Sequence, residues 1–159
     1  MVHEKDWLFS SDTYTCGLRV AGLLIQNHKI LVQRELHGNE FALPGGHIKI
    51  GETLEDGLIR EYREEMEADI LIKRLLWSEE CFWKWNGKQA HNICFYFLID
   101  LRAGRGIPGQ CEWLAHRDNG SVAAGWLPID EIGQVTLYPA FLKDEIHRLH
   151  DPIKHFVTR

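Results

Sequence analysis

The sequence predicts a mixed β-sheet packed between helices, an α/β (α+β) fold. Three observations point there. Long β-rich runs dominate the chain, tight-turn dipeptides join them in pairs at Asn27-His28 and Asn86-Gly87, and only two segments carry clear helical periodicity, one central and one C-terminal. With 159 residues, 45% of them hydrophobic, the chain can bury a real core as one domain spanning 1–159, whereas two domains would each be marginal.

Taken in order, the first dozen residues are polar and are expected to fray. Leu18 to Ile25 and Lys29 to Leu36 read as strands flanking the Asn27-His28 hairpin. Phe41 to Leu43 leads into Pro44-Gly45-Gly46, a strong break. Thr53 to about Met66 reads as a helix. Thr53 can cap it, Asp56 sits at the third helical position, and Leu54, Leu58, Tyr62 and Met66 form an apolar stripe. Gly57 interrupts that helix at a cost of about 1 kcal/mol against alanine, which points either to close packing on the sheet or to flexibility. Ile70 to Trp85 and Lys88 to Leu101 are long strands joined at Asn86-Gly87, the strongest short hairpin signal. A Gly-rich loop follows from Arg102 to Gly109, then short strands at Glu112 to Leu114 and Val122 to Leu127, and a short helix over Asp130 to Val135. Pro139 to His150 reads as a second helix, with Phe141, Leu142, Ile146 and Leu149 on one face.

The net charge of -5 weighs against a nucleic-acid polymer as partner, since such proteins usually show a basic stripe. Cys16, Cys81, Cys94 and Cys111 form no C-x-x-C pair, so a zinc knuckle is not expected, and reduced thiols in the cytoplasm are. Met1 to Phe9 lacks the apolar core of a signal peptide. The longest clean apolar run, Ile93 to Ile99, is far too short to cross a bilayer, so no membrane partner is expected.

Chemistry concentrates in Leu43 to Ile70, LPGGHIKIGETLEDGLIREYREEMEADI. On a helix advancing 100° per residue, Glu61, Glu64 and Glu65 stand at i, i+3 and i+4 and share one face. Three carboxylates so crowded repel one another unless a cation lies between them, and Mg2+ prefers such hard oxygen ligands. The ion would also reconcile an acidic protein with an anionic substrate. Arg60 adjoins the three and can pair with one, the Gly45-Gly46 turn lets the backbone approach closely, and Glu52 lies just before the helix, where it can fold back toward the site. The competing reading is an ordinary exposed acidic helix face. Gly46, Glu52 and Arg60 in register weigh against it.

This stretch resembles the Nudix box, G-x5-E-x7-R-E-U-x-E-E-x-G-U, where U is aliphatic. Gly46, Glu52, Arg60, Glu61, Glu64 and Glu65 fall at its fixed spacings, and Tyr62 takes the first aliphatic place. Six such positions align by chance on the order of once in 10^5 chains of this length. Two positions depart: Glu67 stands where the family has glycine, and Ala68 where it has an aliphatic residue. The glycine closes the helix in a left-handed conformation, so Glu67 should cost roughly 1 kcal/mol, or the helix must end differently.

The resemblance implies an α/β/α sandwich and a hydrolase that cuts a diphosphate linkage in a small nucleotide-like substrate with Mg2+, or Mn2+ in its place. It implies Glu61, Glu64, Glu65 and the Gly45 carbonyl as metal ligands, Arg60 as part of the catalytic set, and Gly46 and Glu52 beside the substrate. Arg34 resembles an arginine that contacts substrate phosphate in some members, although a surface ion pair explains it equally well. The general base lies on the helix, at Glu61 or Glu64, or downstream, with Glu112 as the candidate. A homodimer is expected by resemblance. A catalytically silent nucleotide-binding member of the family is the alternative function. Because Glu65 is expected on an exposed face, Glu65→Gln should remove turnover and leave stability alone. Trp77, Phe82, Trp83 and Trp85 suit packing or base stacking, His47 and His91 suit structural roles, and no signature names the substrate.

Overall fold

The structure, a computed structural model, describes residues 5–159. Residues 1–4 of the polar start lie outside the described residues. From Lys5 onward the start is paired rather than frayed: β1 (Leu8–Ser10) runs antiparallel to β2 (Tyr14–Gln26), and Asp6 bridges to Lys49. The Asn27-His28 turn leads to β3 (Lys29–Glu35), and both turn residues have positive φ, the geometry a two-residue hairpin demands. β4 (Glu40–Ala42) and β5 (Gly45–His47) follow, so the Pro-Gly-Gly break lies between two short strands and its glycines belong to the second.

Helix α1 (Leu54–Met66) begins as the sequence predicts. Thr53 Oγ1 accepts the Asp56 N–H (3.1 Å) and donates to Asp56 Oδ2 (2.7 Å). Gly57 is explained by packing: a Cβ there would lie 2.4 Å from Ile48 Cδ1. Strands β6 (Ala68–Trp85) and β7 (Lys88–Gly104) form the long hairpin at Asn86-Gly87. β8 (Trp113–Ala115), β9 (Val122–Pro128) and a 3-10 helix over Ile129–Gln134 come next.

The C-terminal region departs from expectation. After β10 (Thr136–Tyr138), α2 is only Leu142–Glu145, and a final strand β11 (Lys154–Thr158) runs parallel to β6. The predicted helix over Pro139 to His150 is replaced by tight turns, with Arg148 N–H bonding to Glu145 C=O and Asp151 N–H to Arg148 C=O. Leu142 and Ile146 still reach the core, and Phe141 and Leu149 pack against it, so the apolar pattern is satisfied without further helix.

One sheet runs β2-β7-β6-β11, with β2 and β7 parallel from Tyr14↔Gln89 to Leu24↔Ile99 and β1 and β5 along the free edge of β2. A second arm, joined to it where the end of β2 pairs with β3 at Ile25↔Ile30, runs β8-β9-β3-β4-β10. On one side Leu58, Tyr62 and Met66 of α1 close over Val20, Leu24, Phe97 and Ile99. On the other, Trp77, Tyr96, Leu137 and Leu142 pack together. The fold is α+β, with a large mixed sheet, one full helix and a second helical layer reduced to single turns. Among the described residues no helix is long and apolar enough to cross a membrane. The four cysteines are free, and burial pushes the Cys94 thiol up to about 11 and Cys81 to about 12.

Candidate active site

Strand β5 lies antiparallel to β2, Gly45 opposite Ala21 and Gly46 opposite Val20, and this places the turn against α1. A Cβ at Gly45 would sit 2.0 Å from the Val20 carbonyl oxygen. A Cβ at Gly46 would sit 2.4 Å from Glu61 Cδ, so the Glu61 carboxylate lies directly across the space that the missing side chain leaves.

Arg60 organises this end of the site. Its Nε donates to Glu52 Oε1 (2.7 Å) and its Nη2 to Glu52 Oε2 (3.0 Å) and to the His47 carbonyl (3.0 Å). Its Nη1 donates to Glu61 Oε1 (2.7 Å) and Glu64 Oε2 (3.0 Å). Glu52 also accepts the Lys49 N–H (2.9 Å). Burial raises the Glu52 carboxyl, but the bonds from Arg60 and Lys49 outweigh it and leave it below the usual carboxylate range. Glu52 therefore holds Arg60 in place. Burial raises Glu61, which Arg60 only partly offsets, and burial with the neighbouring Arg19 takes the His47 imidazole down to about 4, so it is neutral at pH 7.

Glu65 is more deeply buried than Glu64 and takes no bond from Arg60. It is 9% exposed, not on an open helix face as expected, and its Oε2 has no hydrogen-bond partner among the described residues. Burial, reinforced by Glu61 and Asp118, pushes its carboxyl up to about 9. It faces His116, whose Nδ1 stands 3.7 Å from Glu65 Oε1. Glu65, His116 and Asp118 each offer a ligand atom within 4.8 Å of the others. Burial lowers the proton affinity of His116. His116 and Asp118 belong to the β8–β9 connection, outside any motif, and no sequence signal marks them.

Of the two outcomes expected at Glu67, the helix takes the left-handed end and not a different one. Glu67 adopts the left-handed conformation (φ 43°, ψ 38°), its N–H bonding to Arg63 C=O and its carboxylate to Arg117 Nη1 (2.7 Å). The adjacent Arg117 N–H donates to Glu65 C=O (2.9 Å).

Other predicted residues lie elsewhere. Glu112 is exposed in the β7–β8 connection, where its carboxylate accepts the Gly109 N–H (3.3 Å), and it is not part of the group around Glu65. The Arg34 guanidinium lies 4.0 Å over the Trp113 ring and 5.7 Å from Phe41. It lines a pocket of about 400 Å³ with Gln33, Glu40, Phe41, Val122 and Tyr138. Trp77 is core, while Trp83 and Trp85 are exposed near the β6–β7 turn and Phe82 stacks on His91 at 4.2 Å.

The NUDIX domain family matches residues 17–149, which is most of the chain. The chain belongs to the Nudix family. It is similar to the "NAD-capped RNA hydrolase NudC" of Photorhabdus laumondii, 25% identical over 71% of this chain and 39% of that protein. It is also similar to the "ADP-ribose pyrophosphatase" of Methanocaldococcus jannaschii, 30% identical over 55% of this chain and 53% of that protein. The match thus spans about two-fifths to a half of these relatives. Nudix folds align along most of the chain: a Nitrosomonas europaea Nudix hydrolase (TM-score 0.63, 18% identity, 90% of this chain and 78% of that one) and a Streptococcus suis ADP-ribose pyrophosphatase (0.59, 20%, 88% and 98%). At these identities the structures establish the Nudix fold, and the recognised box lies inside the matched region.

Proposed function

We propose that this chain is a divalent-metal-dependent hydrolase that cuts the diphosphate linkage between a nucleoside and a second group, with Mg2+ as its ion and Mn2+ able to replace it. The observation that carries the reading is the set of carboxylates on α1, with Glu61 across from Gly46, Glu61 and Glu64 held by Arg60, and Glu65 left buried with an unpartnered oxygen. That set fits a hard cation. The oxygen donors are of the right kind, and a positive ion would supply the charge that the buried Glu65 lacks. Glu61, Glu64, Glu65 and the Gly45 carbonyl would hold the ion. When bound, it polarises the phosphoryl oxygens, offsets developing negative charge and lowers the pKa of the attacking water.

The chain's own groups do the rest. Glu52 fixes Arg60, and Arg60 fixes the directions of Glu61 and Glu64. Gly46 leaves the space that the Glu61 carboxylate and the substrate phosphates require. Glu61, whose proton affinity burial raises, is our choice to take the proton of the attacking water, in preference to Glu112, which is exposed and bonded to the Gly109 N–H. Arg34, seated on Trp113 beside Phe41 and Tyr138, binds the non-reacting part of the substrate. The names of the relatives, ADP-ribose and NAD caps, share a nucleoside diphosphate joined to a second moiety. The acidic net charge favours the small-molecule end of that class. The free cysteines suit a cytoplasmic enzyme, the single connected sheet suits one domain, and the exposed Trp7, Phe9 and Tyr14 suit a homodimer.

The test is hydrolysis of a panel (ADP-ribose, NAD, nucleotide sugars, dinucleoside polyphosphates, nucleoside triphosphates and coenzyme A) with and without Mg2+, beside Glu65→Gln. Mg2+-dependent cleavage that falls by several orders of magnitude in the variant is expected. Equal turnover by the variant would refute the assignment. Melting shifts without any cleavage would instead identify a binding protein.

A further inference from the structure

We propose that Glu65, His116 and Asp118 form a metal position of their own at the C-terminal end of α1, suited to Mn2+ or another borderline divalent cation rather than to Mg2+. The inference rests on the reading of Glu65 as a metal ligand and adds two residues that lie outside the box.

The geometry supports it at three points. First, one ligand atom from each residue lies within 4.8 Å of the other two. Three ligands of one ion at bond lengths of about 2.1 Å stand roughly 3 to 3.6 Å apart, so side-chain movements of up to about an ångström close the set. Second, His116 Nδ1 and Glu65 Oε1 face each other at 3.7 Å, too long for a hydrogen bond and close to the separation of two ligands around a shared ion. Third, the imidazole is 4% exposed and its Nε2 has no partner among the described residues, as is true of Glu65 Oε2. A buried ring nitrogen and a buried carboxylate oxygen left without partners are costly unless something else engages them.

The connection that carries His116 and Asp118 is tied to the end of α1 through Arg117 and to β9 through His116. Arg117 N–H bonds to Glu65 C=O, Arg117 Nη1 to Glu67, and His116 N–H to Val122 C=O (2.8 Å). The ring therefore faces α1 without help from an ion. Two carboxylates and a neutral imidazole carry a charge of -2, which a divalent cation neutralises. A nitrogen donor moves preference from Mg2+ toward Mn2+, Co2+ and Zn2+. Glu65 would be shared, so this position adjoins the one held by Glu61 and Glu64.

The experiment is Mn2+ titration of the metal-free protein, followed by continuous-wave and pulsed electron paramagnetic resonance. Bound Mn2+ showing nitrogen modulation from a coordinated imidazole is expected. His116→Gln should abolish the modulation and weaken that position about 10- to 100-fold. Asp118→Asn, an exposed position with little bearing on folding, should weaken it in the same direction. Circular dichroism and melting would confirm that both variants are folded. Mn2+ bound with no nitrogen modulation, or modulation that persists in His116→Gln, would overturn this inference and leave the hydrolase reading standing. No Mn2+ binding at all would overturn both.

Discussion

Two adjacent glycines allow stability and chemistry to be separated. At Gly46 a methyl group would stand 2.4 Å from Glu61 Cδ, the far end of a flexible side chain. Restoring ordinary contact moves that carboxylate by about 1 Å. A displacement of that size at a reacting centre costs on the order of 10²-fold in rate. The same movement breaks the Arg60–Glu61 bond, for a loss of about 1.5–3 kcal/mol, while the narrower unfolded ensemble of alanine returns about 0.4–1 kcal/mol. The net loss of about 0.5–2.6 kcal/mol should make Gly46→Ala melt about 1–10 °C lower, and it should turn over about 100-fold more slowly. At Gly45 the methyl would meet backbone, Val20 O at 2.0 Å and Ala21 Cα at 2.7 Å, neither of which can swing aside. Gly45→Ala should cost about 3 kcal/mol or more by forcing β5 away from β2. Steady-state kinetics on the substrate found by the panel, beside urea unfolding of each protein, reads both effects. Gly46→Ala turning over within threefold of the parent, or Gly45→Ala unfolding at the parent's midpoint, would refute the reasoning.

Glu65 links pH to stability in the metal-free protein. Folding raises its carboxyl from 4.5 to about 9, so its contribution is full below about pH 4.5 and is lost as pH rises toward 9. Urea midpoints between pH 6 and 9 should fall with pH in the parent and be flatter in Glu65→Gln or at saturating Mg2+, and parallel profiles would contradict the assigned burial. Arg60→Lys keeps the charge and loses the fork that reaches Glu52, Glu61, Glu64 and the His47 carbonyl together, so a loss of about 2 kcal/mol and at least a tenfold fall in kcat are expected from unfolding and kinetic assays.

Features set by neighbours in sequence were legible in the chain. The Asn27-His28 and Asn86-Gly87 turns demand positive φ, which few residue pairs tolerate, and Thr53 with Asp56 caps α1 through a contact three residues long. The box glutamates could be placed on the helix for the same reason. Features set by distant partners were not legible. β11 alternates half-buried and exposed residues over five positions at a sheet edge, too short and too polar a signal, and its existence depends on β6 lying beside it. The pattern over Pro139 to His150 had helical spacing, yet successive tight turns bring the same apolar side chains to the core. The burial of Glu65 could not be foreseen because the β8–β9 connection that covers it is brought there by tertiary contacts. Arg60 was legible as a neighbour of the carboxylates, but the fork joining it to Glu52 required the fold.

Glu67 gives the end of α1 a mechanical character that glycine would not. Glycine would satisfy the left-handed backbone and touch nothing, whereas glutamate accepts the conformational strain and reaches Arg117. The ion pair therefore couples fraying of the last helical turn to lifting of the β8–β9 connection, beside the Arg117 N–H bond to Glu65 C=O. Amide protons on both segments should exchange with solvent in step, and whatever binds between them damps the motion of both.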